Sequence, residues 1–268
     1  MAQGRGEIRS LLERHGIRPK RSLGQNFLAD PNLVDRIVRT AAVGRGDRVV
    51  EVGAGTGTLT RALAETGAAV IAYEVDARLM PVLGEVLGDL DVDVRLEDVT
   101  DSDLAAVLAG GPWTMVANLP YNVGTPLVLE VLRHVPVVRR LVVMVQREVA
   151  DRFVAAPGSK SYGLPSIVTG LNAEARAAFT VPPEVFFPVP EVESAVVELR
   201  RIAAPPLSEQ AIELAGVAFQ QRRKMLRRSL AGTLPDAAAA LAAAGIAETA
   251  RPEELSPAQF VALAEVVQ

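Results

Sequence analysis

Along the first 200 residues, short apolar runs alternate with amphipathic stretches. Strand-like runs fall at 48–52, 69–74, 92–97, 113–118 and 140–146, each within the usual range of roughly four to eight residues and rich in Val, Ile and Ala. Between them lie segments with apolar residues at helical spacing. Asp30-Pro31 is an N-cap followed by proline at the first helical position and opens a helix to Ala42. Thr125-Pro126 repeats the device before 127–134, and Gly67 suits the C-terminus of a helix over 59–66. Strand alternating with helix predicts an α/β domain built on a mostly parallel sheet with both faces covered. Two later runs, 175–181 and 194–200, predict a hairpin closing the sheet at one antiparallel edge.

Ala203-Ala204-Pro205-Pro206 ends this pattern, and the remainder reads as helices over 209–231, 236–244 and 257–267. Ser208 and Ser256 stand as N-caps, Gly232 and Gly245 as stops. The expected division is therefore a domain over 1–202 and a small C-terminal helical domain over 203–268.

Composition narrows the chemistry. The 268 residues are 49% hydrophobic, enough for a substantial core. No apolar run reaches the roughly 18 residues of a membrane span, and the first residues read as a short basic amphipathic helix, not a leader. A cytoplasmic protein with no membrane partner is expected. The absence of cysteine excludes disulfides and thiolate metal sites. With only His15 and His134, a histidine-based triad or metal centre is not expected either. The net charge of −4 does not suggest a nucleic-acid partner, so only clustered cations can.

One such cluster exists. Arg222, Arg223, Lys224, Arg227 and Arg228 place five cations within seven residues. On a continuous helix, Arg223/Arg227 and Lys224/Arg228 would be i, i+4 neighbours, forming a stripe suited to phosphates. Arg18, Lys20 and Arg21 form a second, weaker cluster.

Chemistry-bearing residues collect at strand ends. Glu51-Val52-Gly53-Ala54-Gly55-Thr56-Gly57 joins a buried strand to a helix with G-x-G-x-G spacing, unlike the G-x-G-x-x-G of dinucleotide sites. Glycines permit a sharp turn and close backbone approach to a ligand. The acid before the turn disfavours a pyrophosphate and suits the charged amino-acid end of S-adenosylmethionine. Glu74, 21 residues after Gly53, ends the next strand where it can accept from ribose hydroxyls. Asp98 follows the third strand and Asn118 ends the fourth. Together they line one crevice of a Rossmann-like, S-adenosylmethionine-dependent methyltransferase fold.

Asn118-Leu119-Pro120-Tyr121 suits methylation of an adenine amino group. That nitrogen is a weak nucleophile because its lone pair is conjugated with the ring. Two acceptors for its N–H bonds, the Asn118 side chain and a loop carbonyl, would localise the lone pair. Pro120 biases Leu119 to an extended conformation, and Tyr121 offers a face to the base. Phe186, in a proline-rich loop, is expected to stack on the base's other face, and Phe187 to pack beneath the loop.

These segments, together with Lys20-Arg21-Ser22-Leu23-Gly24-Gln25-Asn26-Phe27-Leu28, Tyr162-Gly163, 186–194, 219–224 and 251–263, resemble the ribosomal RNA adenine N6-dimethyltransferases, of the bacterial small-subunit type tied to kasugamycin sensitivity. Glu191 and Leu164-Pro165 depart from that pattern. The resemblance implies S-adenosylmethionine bound by Asn26, Leu28, Gly53, Gly55, Glu74, Val75, Asp98, Val99 and Asn118, with no metal. It implies catalysis by Asn118, Leu119, Pro120 and Tyr121 with Phe186. It further implies dimethylation of two adjacent adenosines in the 3′-terminal hairpin loop of 16S rRNA, within the small ribosomal subunit, by a monomer. Two other readings share the scaffold: a macrolide-resistance type enzyme acting on large-subunit RNA, and a non-catalytic ribosome-assembly or transcription factor.

Overall fold

In the computed structural model, which describes residues 3–88, 90–121 and 123–268, the alternating pattern becomes nine strands. They are β1 (Phe27–Leu28), β2 (Arg48–Val52), β3 (Ala69–Glu74), β4 (Val92–Leu96), β5 (Trp113–Asn118), β6 (Val138–Gln146), β7 (Ala173–Val181), β8 (Phe186–Phe187) and β9 (Ser194–Arg201). Seven form one sheet in the order β4-β3-β2-β5-β6-β9-β7. The first five in that order are parallel, and β9 runs antiparallel to β6. The order reverses between β2 and β5, and a crevice opens beyond the carboxyl ends of strands at such a reversal. β1 and β8 form a separate antiparallel pair with Phe27 opposite Phe187 and Leu28 opposite Phe186.

Local chemistry explains the helix ends, with two corrections. Asp30 caps the helix Pro31–Ala41 by accepting from the N–H groups of Asn32 and Leu33, at 2.8 and 3.1 Å. That helix buries Leu33, Val34, Ile37 and Ala41 in a core with Val116, Val142, Met144 and Val196. Thr125 is not a cap. The helix Gly124–His134 starts earlier, because the Pro120 carbonyl already accepts from the N–H groups of Val123 and Gly124. Ser208 lies inside the helix Ser208–Phe219, whose cap position is Leu207 at φ 62°. Asp236 and Ser256 do cap their helices.

The chain divides into two compact units, Met1–Ala150 with Arg176–Arg200, and Asp151–Ala175 with Arg201–Gln268. Alternation breaks once in the sequence, at 202–203, whereas the chain crosses between units three times, and 151–175 joins the helical unit. That segment supplies the helical unit with Tyr162, whose hydroxyl donates to Leu255 O at 2.7 Å and whose ring meets Phe219 edge-on, centroids 6.2 Å apart. These partners lie up to 93 residues away, so the local pattern carries no trace of them.

Candidate active site and RNA-facing segment

The glycine loop after β2 is fastened to the end of β3. The N–H groups of Gly53 and Ala54 both donate to Tyr73 O at 2.9 Å. Gly55 N–H donates to Glu74 Oε2 at 2.8 Å, while Glu74 Oε1 accepts from the N–H groups of Val75 and Asp76. Gly53 and Gly55 have φ of 80° and 60°, a region that L side chains avoid. A Cβ on Gly55 would also lie 3.1 Å from the Phe27 ring. Thus Glu74 holds the loop that its sequence marks for the cofactor, in addition to facing the cavity.

That cavity is lined by Asn26, Leu28, Gly53, Gly55, Glu74, Val75 and Asn118. The sequence places all seven in a cofactor site, and the fold brings them together. Asp98 and Val99 line the adjoining recess beside Gly53, Val75 and Pro120. Asp98 is exposed, and its carboxylate is held below the usual range by accepting from the N–H and hydroxyl of Thr100.

Glu51 also lines the first cavity. It is 1% exposed, and its Oε2 has no hydrogen-bond partner among the described residues. Burial pushes its carboxyl up to about 8, against the lowering effect of the Thr60 hydroxyl. A buried acid with an orphaned oxygen facing a cavity is a site for a cationic group. This fits the ammonium of S-adenosylmethionine's amino-acid end, and the neighbouring Glu74 fits ribose hydroxyls.

Asn118 lines this cavity, and a second cleft shares Gly24, Gln25 and Asn26 with it. Asn118 Nδ2 donates to Asn26 O at 3.1 Å, which turns Oδ1 away from that carbonyl and leaves it as an acceptor. Leu119 is buried, and its N–H donates to Met144 O at 3.1 Å. The Pro120 carbonyl is occupied at the start of the next helix.

The second cleft is lined by Arg21, Gly24, Gln25, Asn26, Tyr121, Gln146 and residues 188–192. Half-buried Tyr121 lies in hydrogen-bond contact with Ser194 Oγ, oxygen to oxygen 3.0 Å, and burial raises its phenol above the usual range. The expectation for Phe186 is corrected. Phe186 is 1% exposed, lies opposite Leu28 in the β1–β8 pair and packs in the main core. No face is left for a base. Phe187 is the half-buried member of the pair, with the Arg9 guanidinium 5.5 Å from its ring centre. Pro188, Val189, Pro190 and Val192 line the same cleft as Tyr121.

Sequence reasoning missed Ser194, Gln146, and the pairing of Gln25 with Asp76. Gln25 Nε2 donates to Asp76 Oδ2 at 2.8 Å across 51 residues, and no local signal encodes such a pair.

In the helical unit the continuous basic stripe does not form. The helix ends at Phe219, a turn carries 220–224, and a short helix resumes at Leu226–Ser229. The break lets Leu226 N–H donate to Ala250 O at 2.8 Å while Leu226 and Leu230 are fully buried. Arg222 is engaged internally, ion-paired with Glu253 and donating to Ser159 O and Lys160 O at 3.3 and 3.0 Å. Arg223, Lys224, Arg227 and Arg228 are exposed, with Arg227 3.4 Å from Glu248. The cations therefore cluster on a turn and its following helix, not along one helical face.

Among the described residues no helix is long and apolar enough to cross a membrane. Similarity to known proteins extends over nearly the whole chain. It is 46% identical over 275 residues to the ribosomal RNA small subunit methyltransferase A of Nocardia farcinica, covering 97% of this chain and 94% of that one. To the protein of the same name from Leifsonia xyli it is 47% identical over 272 residues, covering 97% of each. Among solved structures, the 23S rRNA methyltransferase ErmE is 27% identical with a TM-score of 0.70, over 90% of this chain and 99% of that one. A dimethyladenosine transferase from Plasmodium falciparum shares the fold, with 22% identity and a TM-score of 0.76, over 88% and 95% of the two chains. The model of the family described as ribosomal RNA adenine dimethylase matches residues 16–268. By this match and these identities, the chain belongs to the ribosomal RNA adenine dimethylase family.

Proposed function

We propose that this enzyme transfers two methyl groups from S-adenosylmethionine to N6 of each of two adjacent adenosines in the 3′-terminal hairpin loop of 16S rRNA, acting late in small-subunit maturation. One observation carries the reading. Asn118 lines a cavity with an orphaned buried acid, and its side-chain amide is bonded to Asn26, which also lines a cleft bearing an aromatic side chain, so that its amide oxygen is left to accept.

The cofactor supplies an electrophilic methyl on a sulfonium. The residues of this chain supply position. In the first transfer Asn118 Oδ1 and the Leu119 carbonyl accept the two amino N–H bonds and localise the nitrogen lone pair toward the methyl; in the second, the one remaining N–H keeps one of these acceptors. Tyr121 holds one face of the base, and the wall at 188–192 covers the other. The cofactor would give up its methyl to N6 with the bonding pair left on sulfur, and the surplus N6 proton would pass to water, because an aminopurine nitrogen is too weak a base to keep it. No side-chain base is required, consistent with only two histidines in the chain. The rate gain comes from orientation and preorganised acceptors.

The small subunit is favoured over the large because the relatives at 46 and 47% identity are named for it, while the 23S enzyme stands at 27%. RNA backbone contact falls to the helical segment after residue 203, through Arg223, Lys224, Arg227 and Arg228. A monomer working in the cytoplasm completes the reading. The test is transfer of labelled methyl to undermethylated small subunits, followed by mapping of the modified nucleotides. Label on two adjacent adenosines near the 3′ end is expected; label confined to large-subunit RNA, or none, overturns the proposal.

A further inference from the structure

The segment running into β1 is a wall shared by both cavities. Gly24, Gln25 and Asn26 line the cofactor cavity on one side and the acceptor cleft on the other. Its Gln25 is held from the chain just past Glu74. Asp76 is 6% exposed and accepts from Gln25 Nε2 at 2.8 Å and from Arg78 Nε at 2.8 Å. Gln25 Oε1 accepts from Lys20 N–H at 2.7 Å, closing the turn, and Arg78 Nη1 donates to Arg18 O at 3.3 Å. Gly24, at φ 62°, sits so close to Pro120 that a Cβ there would lie 3.2 Å from the proline's own Cβ. The wall is thus fitted against the Asn118–Tyr121 loop as well as tied to β3.

A chain of contacts follows. Asp76 holds Gln25; the next residue, Asn26, offers its carbonyl to Asn118 Nδ2 at 3.1 Å. That bond fixes which end of the Asn118 amide is engaged by the wall. We propose that Asp76 and Gln25 are positioning residues for methyl transfer: their bond latches the shared wall, so that one contact near the cofactor's ribose end sets both the cofactor cavity and the orientation of Asn118. The latch rests on reading the two cavities as cofactor and acceptor sites. Neither residue touches the reacting atoms; both act through Asn26 and Asn118.

The groups facing Gln25 make a charge-specific test available. Asp76 is fully ionised at neutral pH, held down to about 2 by the Arg78 guanidinium, and Glu74 lies close on the same chain end. Gln25→Ala removes the latch. It is expected to weaken cofactor binding and, at saturating cofactor, to slow single-turnover methylation of undermethylated small subunits by about tenfold, the loss for a hydrogen bond to a charged group. Gln25→Glu sets a second carboxylate against Asp76, and the pair can bond only when one proton is shared. Its rate relative to the parent enzyme is therefore expected to be higher near pH 6 than at about pH 8.5, a reversal that mere loss of packing would not produce. Gln25→Ala turning over like the parent, or Gln25→Glu showing the parent's pH profile, overturns the latch. Asn118→Ala measured in parallel separates the two ideas: if it too is unimpaired, the reading of the cavities fails, whereas an impaired Asn118→Ala beside an unimpaired Gln25→Ala sinks the latch alone.

Discussion

Asn118 and Asn26, 92 residues apart, meet through a hydrogen bond from the Asn118 side-chain amide to the Asn26 carbonyl, 3.1 Å long. An asparagine presents a donor at one end of its amide and an acceptor at the other. Committing the donor end to Asn26 leaves the acceptor end available, which is what the proposed acceptance of an amino N–H requires.

Replacing Asn118 by alanine removes that acceptor. The barrier to methyl transfer should rise by about 2.7–4 kcal/mol, roughly a hundred- to thousand-fold in single-turnover rate. Circular dichroism should be unchanged. A folded variant that methylates at the parent's rate would remove Asn118 from the chemistry.

In the proposed mechanism Tyr121 contributes a face through its ring, and its hydroxyl lies 3.0 Å from buried Ser194 Oγ. Tyr121→Ala should cost about 1–3 kcal/mol of base stacking. Tyr121→Phe keeps the face and should keep much of the activity, and Ser194→Ala should resemble it. Kinetics of the Tyr121→Phe, Ser194→Ala pair and the double variant check this, since a shared anchor makes the double no worse than either single. A dead Tyr121→Phe would transfer the role from ring to hydroxyl.

Glu51 links pH to stability and to cofactor affinity. Its carboxyl rises from the usual 4.5 to about 8 in the fold, so folding retains a proton that the unfolded chain gives up. The resulting stabilisation is full below about pH 4.5 and is lost as pH rises through about 8. Thermal melts of the cofactor-free protein should therefore decline over that range, and Glu51→Gln should flatten the decline. A cationic group at Oε2 favours the carboxylate, so cofactor binding near neutral pH should release a proton. Calorimetry in buffers of different ionisation enthalpy measures that proton; none released would mean that no cation meets Glu51.

Glu74 both faces the cavity and holds the glycine loop through Gly55 N–H. Glu74→Ala should weaken S-adenosylmethionine binding by on the order of 1–3 kcal/mol, the loss expected for charge-assisted hydrogen bonds. Titration calorimetry decides the matter, and parent-like affinity would refute the assignment.

The basic segment separates by residue. Arg222 is bound up with Glu253, Ser159 and Lys160, so Arg222→Ala should lower the melting temperature more than it changes RNA binding. Replacing exposed Arg223 and Arg227 should instead weaken binding to ribosomal particles. The slope of affinity against salt should become shallower by about 0.7–0.9 for each phosphate left without its cation. Salt titrations that overlay the parent's would make these residues ordinary surface.

Much of the site is legible in the sequence. Strand ends announce themselves because the largely buried strands read as short, mostly apolar runs, and the glycine or polar residue that closes each run marks the exit. Gly53, Glu74 and Asn118 stand at three such exits, and Asp98 two residues beyond a fourth; parallel pairing then puts all of them on one edge. The glycine loop and the Asp30 cap are equally local, since each depends on backbone geometry within a few residues. Phe186 could not be read this way. A phenylalanine in an exposed-looking proline-rich loop is buried or available according to what covers it, and the β1–β8 pair that covers it joins residues about 160 apart in sequence. The basic helix failed for a related reason: helical spacing was present, but the bond from Leu226 to Ala250 and the burial of Leu226 and Leu230 outweighed continuity. The same holds for Gln25 and Asp76, and for the entry of 151–175 into the helical unit. Sequence by itself determined what repeats over a few residues, the strands, caps and turns and hence the crevice with its polar rim. Only the tertiary structure decided which side chains are covered and which distant polar groups pair, because those outcomes depend on partners that no local pattern names.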